Sequence, residues 1–340
     1  MSTYAANTTP PMAAPTAAKP LVSVIIPTYN RAGLLRRALD SVIEQDYRPI
    51  EAVVVDDGST DNTEQVLAEY RRHLAGAGVS LVTHTQSNER APKARNVGMK
   101  LAHGELIAFL DSDDIWRRQF CSALVRLLRQ HPSAGLAFCG IVCIDNCDHV
   151  WKARDMGMHQ MPHEGVLRRP FEQIMRYMPL QTSGVMVRRA VIERVGDFDL
   201  ELPVVEDWDL WYRISKDYDF AYTQKGLACN RSHPDNLPKY DTVALNSSLK
   251  MNLKHLPDVK DPDTKQVLEE RIRRQFTLLQ EELLRQGKEA NGYSQLLEHD
   301  LAPKSGRFEL ASMIADGPKW VGQSYGWLVR TLGEVRRGTQ

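Results

Sequence analysis

Apolar positions first cluster at "LVSVIIP", residues 21–27, a β-branched run closed by a proline. Such a run, bounded by turn residues, predicts a buried strand. In "RAGLLRRALDSVIEQ" the apolar residues Leu34, Leu35, Ala38, Leu39, Val42 and Ile43 recur three and four apart, which predicts a helix with one apolar face. The strand pattern returns in "IEAVVV", followed by the polar turn "DDGSTDN". Asp61 opens the next helix with Glu64 three places on, the spacing of a capping box. "VSLVTHT" predicts a third strand, "APKARNVGMKLA" a helix closed at His103-Gly104, and "ELIAFL" a fourth strand. Alternation at this spacing predicts an α/β domain with a mostly parallel sheet covered by helices on both faces.

Past residue 114 the rhythm loosens. A helix ends at His131-Pro132, "GLAFCGIVCID" reads as a strand, and "SGVMVRRAVIERVG" as a strand running into a short helix. "EDWDLWYRISK" predicts another helix, and "DFAYT" and "GLACNRS" two further strands. After about Pro238 the pattern is helical, led by the amphipathic "DTKQVLEERIRRQFTLLQEELLRQG". The expected organisation is a disordered tail (1–20), an α/β domain (21–238) and a helical C-terminal extension (239–340). In "KWVGQSYGWLVRTLGEVRR", Val321, Tyr325, Leu328, Leu332 and Val335 share a face. Peripheral contact with a membrane surface and packing against protein both remain open for it.

Composition narrows the classes. Lys plus Arg balances Asp plus Glu at 43 each in 340 residues, which argues against a nucleic-acid partner and makes any charged site local. Five cysteines with no signal-like N-terminus fit a reducing cytoplasm, at the inner face of the membrane if the C-terminal helix binds lipid. The spacing of Cys139, Cys143 and Cys147, with His149 nearby, does not suit a zinc knuckle, so buried thiols are expected. No run of 18 apolar residues is present, so no transmembrane helix is expected.

Chemistry enters at the strand ends. In "AFLDSDDIW" three carboxylates, Asp111, Asp113 and Asp114, repel one another after an apolar strand, and a positive ion would offset that repulsion. The first strand ends in "PTYNR" and the second in "DDGST". Each alone is an ordinary turn or helix cap, with Asn30 available to cap the first helix. Together they line one crevice at the carboxyl ends of a parallel sheet, where ligands bind. Mg²⁺ or Mn²⁺ would take the carboxylate oxygens of Asp111 and Asp113, with a diphosphate completing the shell. Asp57 is placed to accept from the N3–H of a uracil ring.

The segments "VSVIIPTYNR", "VVVDDGSTDNT", "ARNVGMKLAHGELIAFLDSDDIW", "SGVMVRR" and "EDWDLWYRI", in this order, resemble the signatures of the family 2 inverting glycosyltransferases. The resemblance runs from about Leu21 to His233. It implies the GT-A fold, with a Rossmann-like sheet, a nucleotide-sugar donor on the first half and an acceptor on the second. By matching position, Pro27, Thr28, Asn30, Arg31 and Asp57 would bind the donor nucleotide, with Arg95 near the phosphates. Asp111, Ser112 and Asp113 would form the D-x-D motif, with Asp113 as the direct metal ligand. His233, in "NRSHPDN", resembles a histidine that reaches the metal in some relatives; a structural histidine before Pro234 fits equally well.

Asp207 would be the catalytic base, with Glu206 as its rival. Its place in a first helical turn, on the side of Leu210, Trp211 and Ile214, turns it toward the domain, and the helix N-terminus favours its ionised form. The Q-x-x-R-W motif and membrane helices of processive members are missing, which favours transfer of a single sugar. The expected donor is UDP-linked and the acceptor a glycan, a lipid-linked group or another hydroxyl; self-association remains open. A receiver domain accounts for neither "DSDD" nor "EDWDLW". A sugar-phosphate nucleotidyltransferase needs a Gly-rich loop where "PTYNR" stands. A non-catalytic sugar-binding protein of the same fold has no need to keep clustered acids.

Overall fold

The computed structural model describes residues 19–155, 157–177, 180–231 and 242–286. Its first unit opens with β1 (Val22–Thr28), α1 (Ala32–Ile43), β2 (Ile50–Asp56), α2 (Thr63–Gly76), β3 (Val79–Thr85), α3 (Arg90–Leu101) and β4 (Leu106–Phe109). β5 (Ile115–Trp116), α4 (Phe120–Gln130), β6 (Ala134–Ile144), β7 (Val150–Ala153), β8 (Glu164–Leu167) and α5 (Phe171–Arg176) follow. It closes with β9 (Val185–Arg188), α6 (Arg189–Val195), α7 (Glu206–Asp217) and β10 (Asp219–Arg231).

All these strands join one sheet with the order β3-β2-β1-β4-β9-β6-β10-β5; β7 adds to β6 and β8 to β10. The first four pair in parallel. Every residue of β1, β2 and β4 is buried, which is why these strands read as continuous apolar runs rather than alternating ones. α1 lays Leu35, Ala38, Leu39 and Val42 into the core they form. Each of these leucines and the valine contributes about 1.5–3 kcal/mol by leaving water.

The other half of the sheet is mixed. β9 runs antiparallel between β4 and β6, while β6 and β10 are parallel. The two strands expected at "DFAYT" and "GLACNRS" are one, β10, with bulges around Thr223, Gly226 and Ala228. The polar Gln224-Lys225 interruption is the bulge, and Gly140 faces it so closely that an added Cβ would lie 2.5 Å from the Gln224 carbonyl oxygen. The expected capping box does not form either. Asp61 instead accepts from Thr63 N and Oγ1 with one oxygen and from Ala32 N with the other, so it serves the starts of α1 and α2 together.

The chain divides into two compact units, the described residues through Arg231 in the first and 242–286 in the second. The second holds α8 (Thr242–His255) and α9 (Pro262–Arg285), where the long amphipathic helix was expected. The Asp261 carboxylate caps α9 by accepting from Thr264 N and Oγ1. No helix among the described residues is long and apolar enough to cross a membrane. The N-terminal tail through residue 18, His233 and the segment carrying Val321 to Val335 lie outside the described residues.

Candidate active site

The adjacent strands β2, β1 and β4 end side by side, so the turns after Asp56, Thr28 and Phe109 share one crevice. Two of these turns are interlocked. Asn30, at φ 50°, donates its N–H to Ser59 Oγ at 2.9 Å, and its side-chain oxygen accepts from Thr60 N at 2.7 Å. It joins the turns and does not cap α1. Gly58, at φ +83°, allows the second turn, and Asp56 closes it by accepting from Ser59 N.

Asp57 is buried beneath, its N–H on the Thr28 carbonyl. Its carboxylate accepts from Gln86 Nε2, Glu89 N and Arg90 N at 2.8–2.9 Å, so a uracil ring would share it with the β3–α3 loop. Pro27 lies inside β1, opposite Val55. The Thr28 hydroxyl is buried and finds no partner among the described residues, a vacancy a ligand atom can fill.

The acidic segment is a tight turn, Asp114 N donating to the Asp111 carbonyl, with Ser112 buried inside it. Its three carboxylates have different neighbours. Asp111 Oδ1 accepts from Arg95 Nη2 at 2.7 Å, and Asp113 Oδ2 pairs with Arg31 Nη1. Asp114 is buried and structural: it accepts from Ser183 Oγ at 2.6 Å and from Arg231 N at 2.9 Å, tying β10 to the turn. Burial, then the charges of Asp113 and Asp111, push its carboxyl up to about 8. The repulsion read from the sequence is therefore met by guanidinium groups and, at Asp114, by burial.

Arg95 joins this turn to the start of α7. Its second guanidinium nitrogen pairs with Glu206, and its face lies over the Phe198 ring at 5.7 Å. Burial works against its charge, but Asp111 and Glu206 outweigh that and raise its pKa. α7 is anchored by Trp211, whose ring centroid lies 6.0 Å from that of Phe109 at the end of β4 and 6.3 Å from that of Phe198. That packing sets Glu206 and Asp207 beside the acidic turn.

Asp207 Oδ2 accepts from Thr182 Oγ1 at 2.7 Å. Burial raises its pKa, opposed by the Thr182 hydrogen bond and the Arg95 charge. The first-turn Trp208 N–H also donates to its carboxylate and favours the ionised form, but desolvation is the larger effect. Burial pushes Glu206 up to about 7, against the pull of Arg95. Glu206 thus has a task of its own, as the partner of Arg95.

A profile of Glycosyl transferase family 2 matches residues 23–196, just over half of the chain. The chain belongs to glycosyl transferase family 2. An uncharacterised glycosyltransferase of Nostoc sp. is 33% identical over 223 residues, 63% of this chain and 66% of that protein, so the match falls just short of two thirds of its length. The UDP-Glc:alpha-D-GlcNAc-diphosphoundecaprenol beta-1,3-glucosyltransferase WfgD of Escherichia coli is 28% identical over 62% of this chain and 76% of its own. Staphylococcus aureus TarS 1–349, solved with UDP-GlcNAc, superposes with a TM-score of 0.60 at 19% identity, over 89% of this chain and 91% of that one. That likeness supports the GT-A fold.

In this family 2 protein the D-x-D acids offer hard oxygen donors, the set that suits Mg²⁺ or Mn²⁺. Among the described residues no third His, Cys, Asp or Glu ligand atom converges on them. The group of three that does converge among the described residues is Asp145, Cys147 and His149, within 4.8 Å. It is the turn between β6 and β7, where the Asp145 carboxylate already accepts from Cys147 N and His149 N. Cys121, Cys139, Cys143 and Cys229 are buried as expected; Cys147 is exposed, because it sits in that turn and not in the strand.

Sequence reasoning missed Thr182, Ser183 and Arg231 as parts of the site, and did not separate the buried, structural role of Asp114 from those of Asp111 and Asp113. The visible signal was the polar "TS" before the apolar "GVMV", and the third acid of "DSDD".

Proposed function

We propose that this chain is an inverting glycosyltransferase that moves a single sugar from a UDP-linked donor to a hydroxyl acceptor, with Asp207 as general base. The observation that carries the reading is the Arg95 bridge, which holds Asp111 of the acidic turn and Glu206 at the start of α7 in one crevice. WfgD, a UDP-Glc-dependent glucosyltransferase, and TarS, solved with UDP-GlcNAc, support a uridine donor. WfgD's acceptor supports a lipid-linked or other glycan hydroxyl in a cell-surface polysaccharide. We assign catalysis to residues 21–238 and place 239–340, whose described part is helical, outside it.

On this reading Thr28, Asn30 and Asp57 line the nucleoside side, with Pro27 shaping the backbone there. Arg31, Arg95 and Ser112 line the diphosphate side. Asp111 and Asp113 would hold Mn²⁺ or Mg²⁺, which when bound supplies positive charge against the departing diphosphate. The acceptor oxygen forms a bond to the anomeric carbon as the bond from that carbon to the diphosphate oxygen breaks. The hydroxyl proton passes to Asp207, whose raised proton affinity makes it a stronger base than an exposed aspartate. Thr182 holds the carboxylate in place, and Arg95 keeps the neighbouring Glu206 from doubling the negative charge.

A single displacement of this kind inverts the anomeric configuration. The deciding experiment is NMR of the product formed from a UDP-sugar, run with wild type and Asp207→Asn. Inversion in wild type and loss of turnover in the variant are expected; a retained configuration would overturn the mechanism.

A further inference from the structure

Two arginines sit on the two D-x-D acids, and they are held very differently. Arg95 is only 7% exposed at its side chain, bonds Glu206 as well as Asp111, and lies against Phe198. Arg31 is 33% exposed, and its guanidinium makes its ion pair with Asp113 alone among the described residues. It also stands on the loop after β1, next to Asn30, at the mouth of the nucleotide crevice.

We infer that Arg31 is a placeholder on Asp113 that couples divalent-cation binding to diphosphate binding. The inference rests on the donor and metal reading proposed above and adds a device to it. With Arg31 on Asp113 and Arg95 on Asp111, the negative charge of the two acids is largely cancelled. A divalent ion arriving alone meets a weak attraction and a guanidinium in its way. A nucleoside diphosphate adds negative charge in the crevice and offers oxygens that match the planar guanidinium fork as well as a carboxylate does. Arg31 can therefore leave Asp113 for the diphosphate at small loss, which opens the Asp113 Oδ2 atom to the cation. Arg95 cannot make this exchange without abandoning buried Glu206. Binding of cation and of diphosphate then reinforce each other, by the same factor in each direction.

The test is a titration of the full chain with MnCl2, followed by the EPR signal of free Mn²⁺, alone and with saturating UDP or GDP, corrected for Mn²⁺ bound by free nucleotide. In wild type the nucleotide should tighten Mn²⁺ binding by about tenfold or more, within the usual range of coupling between sites. Arg31→Gln should bind Mn²⁺ alone several-fold more tightly than wild type, bind nucleotide more weakly, and lose most of the coupling. Arg31→Lys, which keeps the charge and loses the fork, should fall between them.

Equal Mn²⁺ affinity with and without nucleotide in wild type overturns the inference without recourse to any variant. So does an unchanged coupling factor in Arg31→Gln. Asp113→Asn separates the two levels: if it binds Mn²⁺ with nucleotide as wild type does, the metal site itself is wrong and the inference falls with it. If it abolishes that binding while Arg31→Gln behaves as wild type, the site stands and only the placeholder role is lost.

Discussion

The two sides of the crevice handle their acids by opposite means. On the acidic turn, Asp111 and Asp113 stay within reach of solvent and each carries a guanidinium. At the start of α7, desolvation raises the proton affinities of buried Glu206 and half-buried Asp207. The first arrangement lets Asp113, on the more exposed Arg31, exchange partners when a charged ligand arrives. The second suits a group that must take a proton. Arg95 belongs to both sides, which lets one buried cation hold the acids of each in register.

The sharpest way to break this comparison is Asp207→Asn. Turnover should collapse by about 10²–10⁴ while nucleotide and Mn²⁺ affinities persist, as steady-state kinetics beside binding titrations would show. Near-normal turnover would mean that the buried side holds no base.

Arg95→Met attacks the shared residue. It leaves buried Glu206 without its partner, so a loss of about 3–5 kcal/mol in stability is expected, measured by urea unfolding. A loss under 1 kcal/mol would show that the two sides are independent.

Asp114 gives a pH signature. A carboxyl raised to about 8 in the folded state binds its proton more tightly there than in the unfolded chain. Stability from this group is therefore full below its unfolded pKa, near 4, and is lost as pH rises toward 8. Thermal melts from pH 5 to 8 should show a decline of roughly 3–4 kcal/mol from this group, and Asp114→Asn should flatten it. Glu206, raised to about 7, adds a decline of the same sign.

The smallest effect tunes the base. Thr182→Val removes a hydrogen bond that stabilises ionised Asp207, so its pKa rises further. The acid limb of the kcat profile should move to higher pH, with a loss of about fivefold at neutral pH, equivalent to roughly 1 kcal/mol. An unmoved limb would separate Thr182 from the base.

Much of this was legible along the chain. The alternation that forms β1 to β4, the buried stripe of α1 and the three polar strand ends are local patterns, and adjacent parallel strands bring such ends together by geometry alone. Residues that act across long separations were not. Asp61 fits a capping box in sequence, yet it bonds Ala32, 29 positions earlier. Gln224-Lys225 reads as a break between strands, yet the ladder to β6 continues through it as a bulge.

The sequence by itself determined the α/β class, the family and the identities of the acids, because period and residue type are properties of neighbours in the chain. Tertiary structure decided which acids remain available. Asp111, Asp113 and Asp114 are near-equivalent in sequence, but packing leaves Asp113 on the exposed, exchangeable Arg31, ties Asp111 to buried Arg95, and makes Asp114 a buried strut between Ser183 and Arg231. Charge compensation and desolvation depend on what surrounds a group in space, and those surroundings come from 16 to 117 positions away.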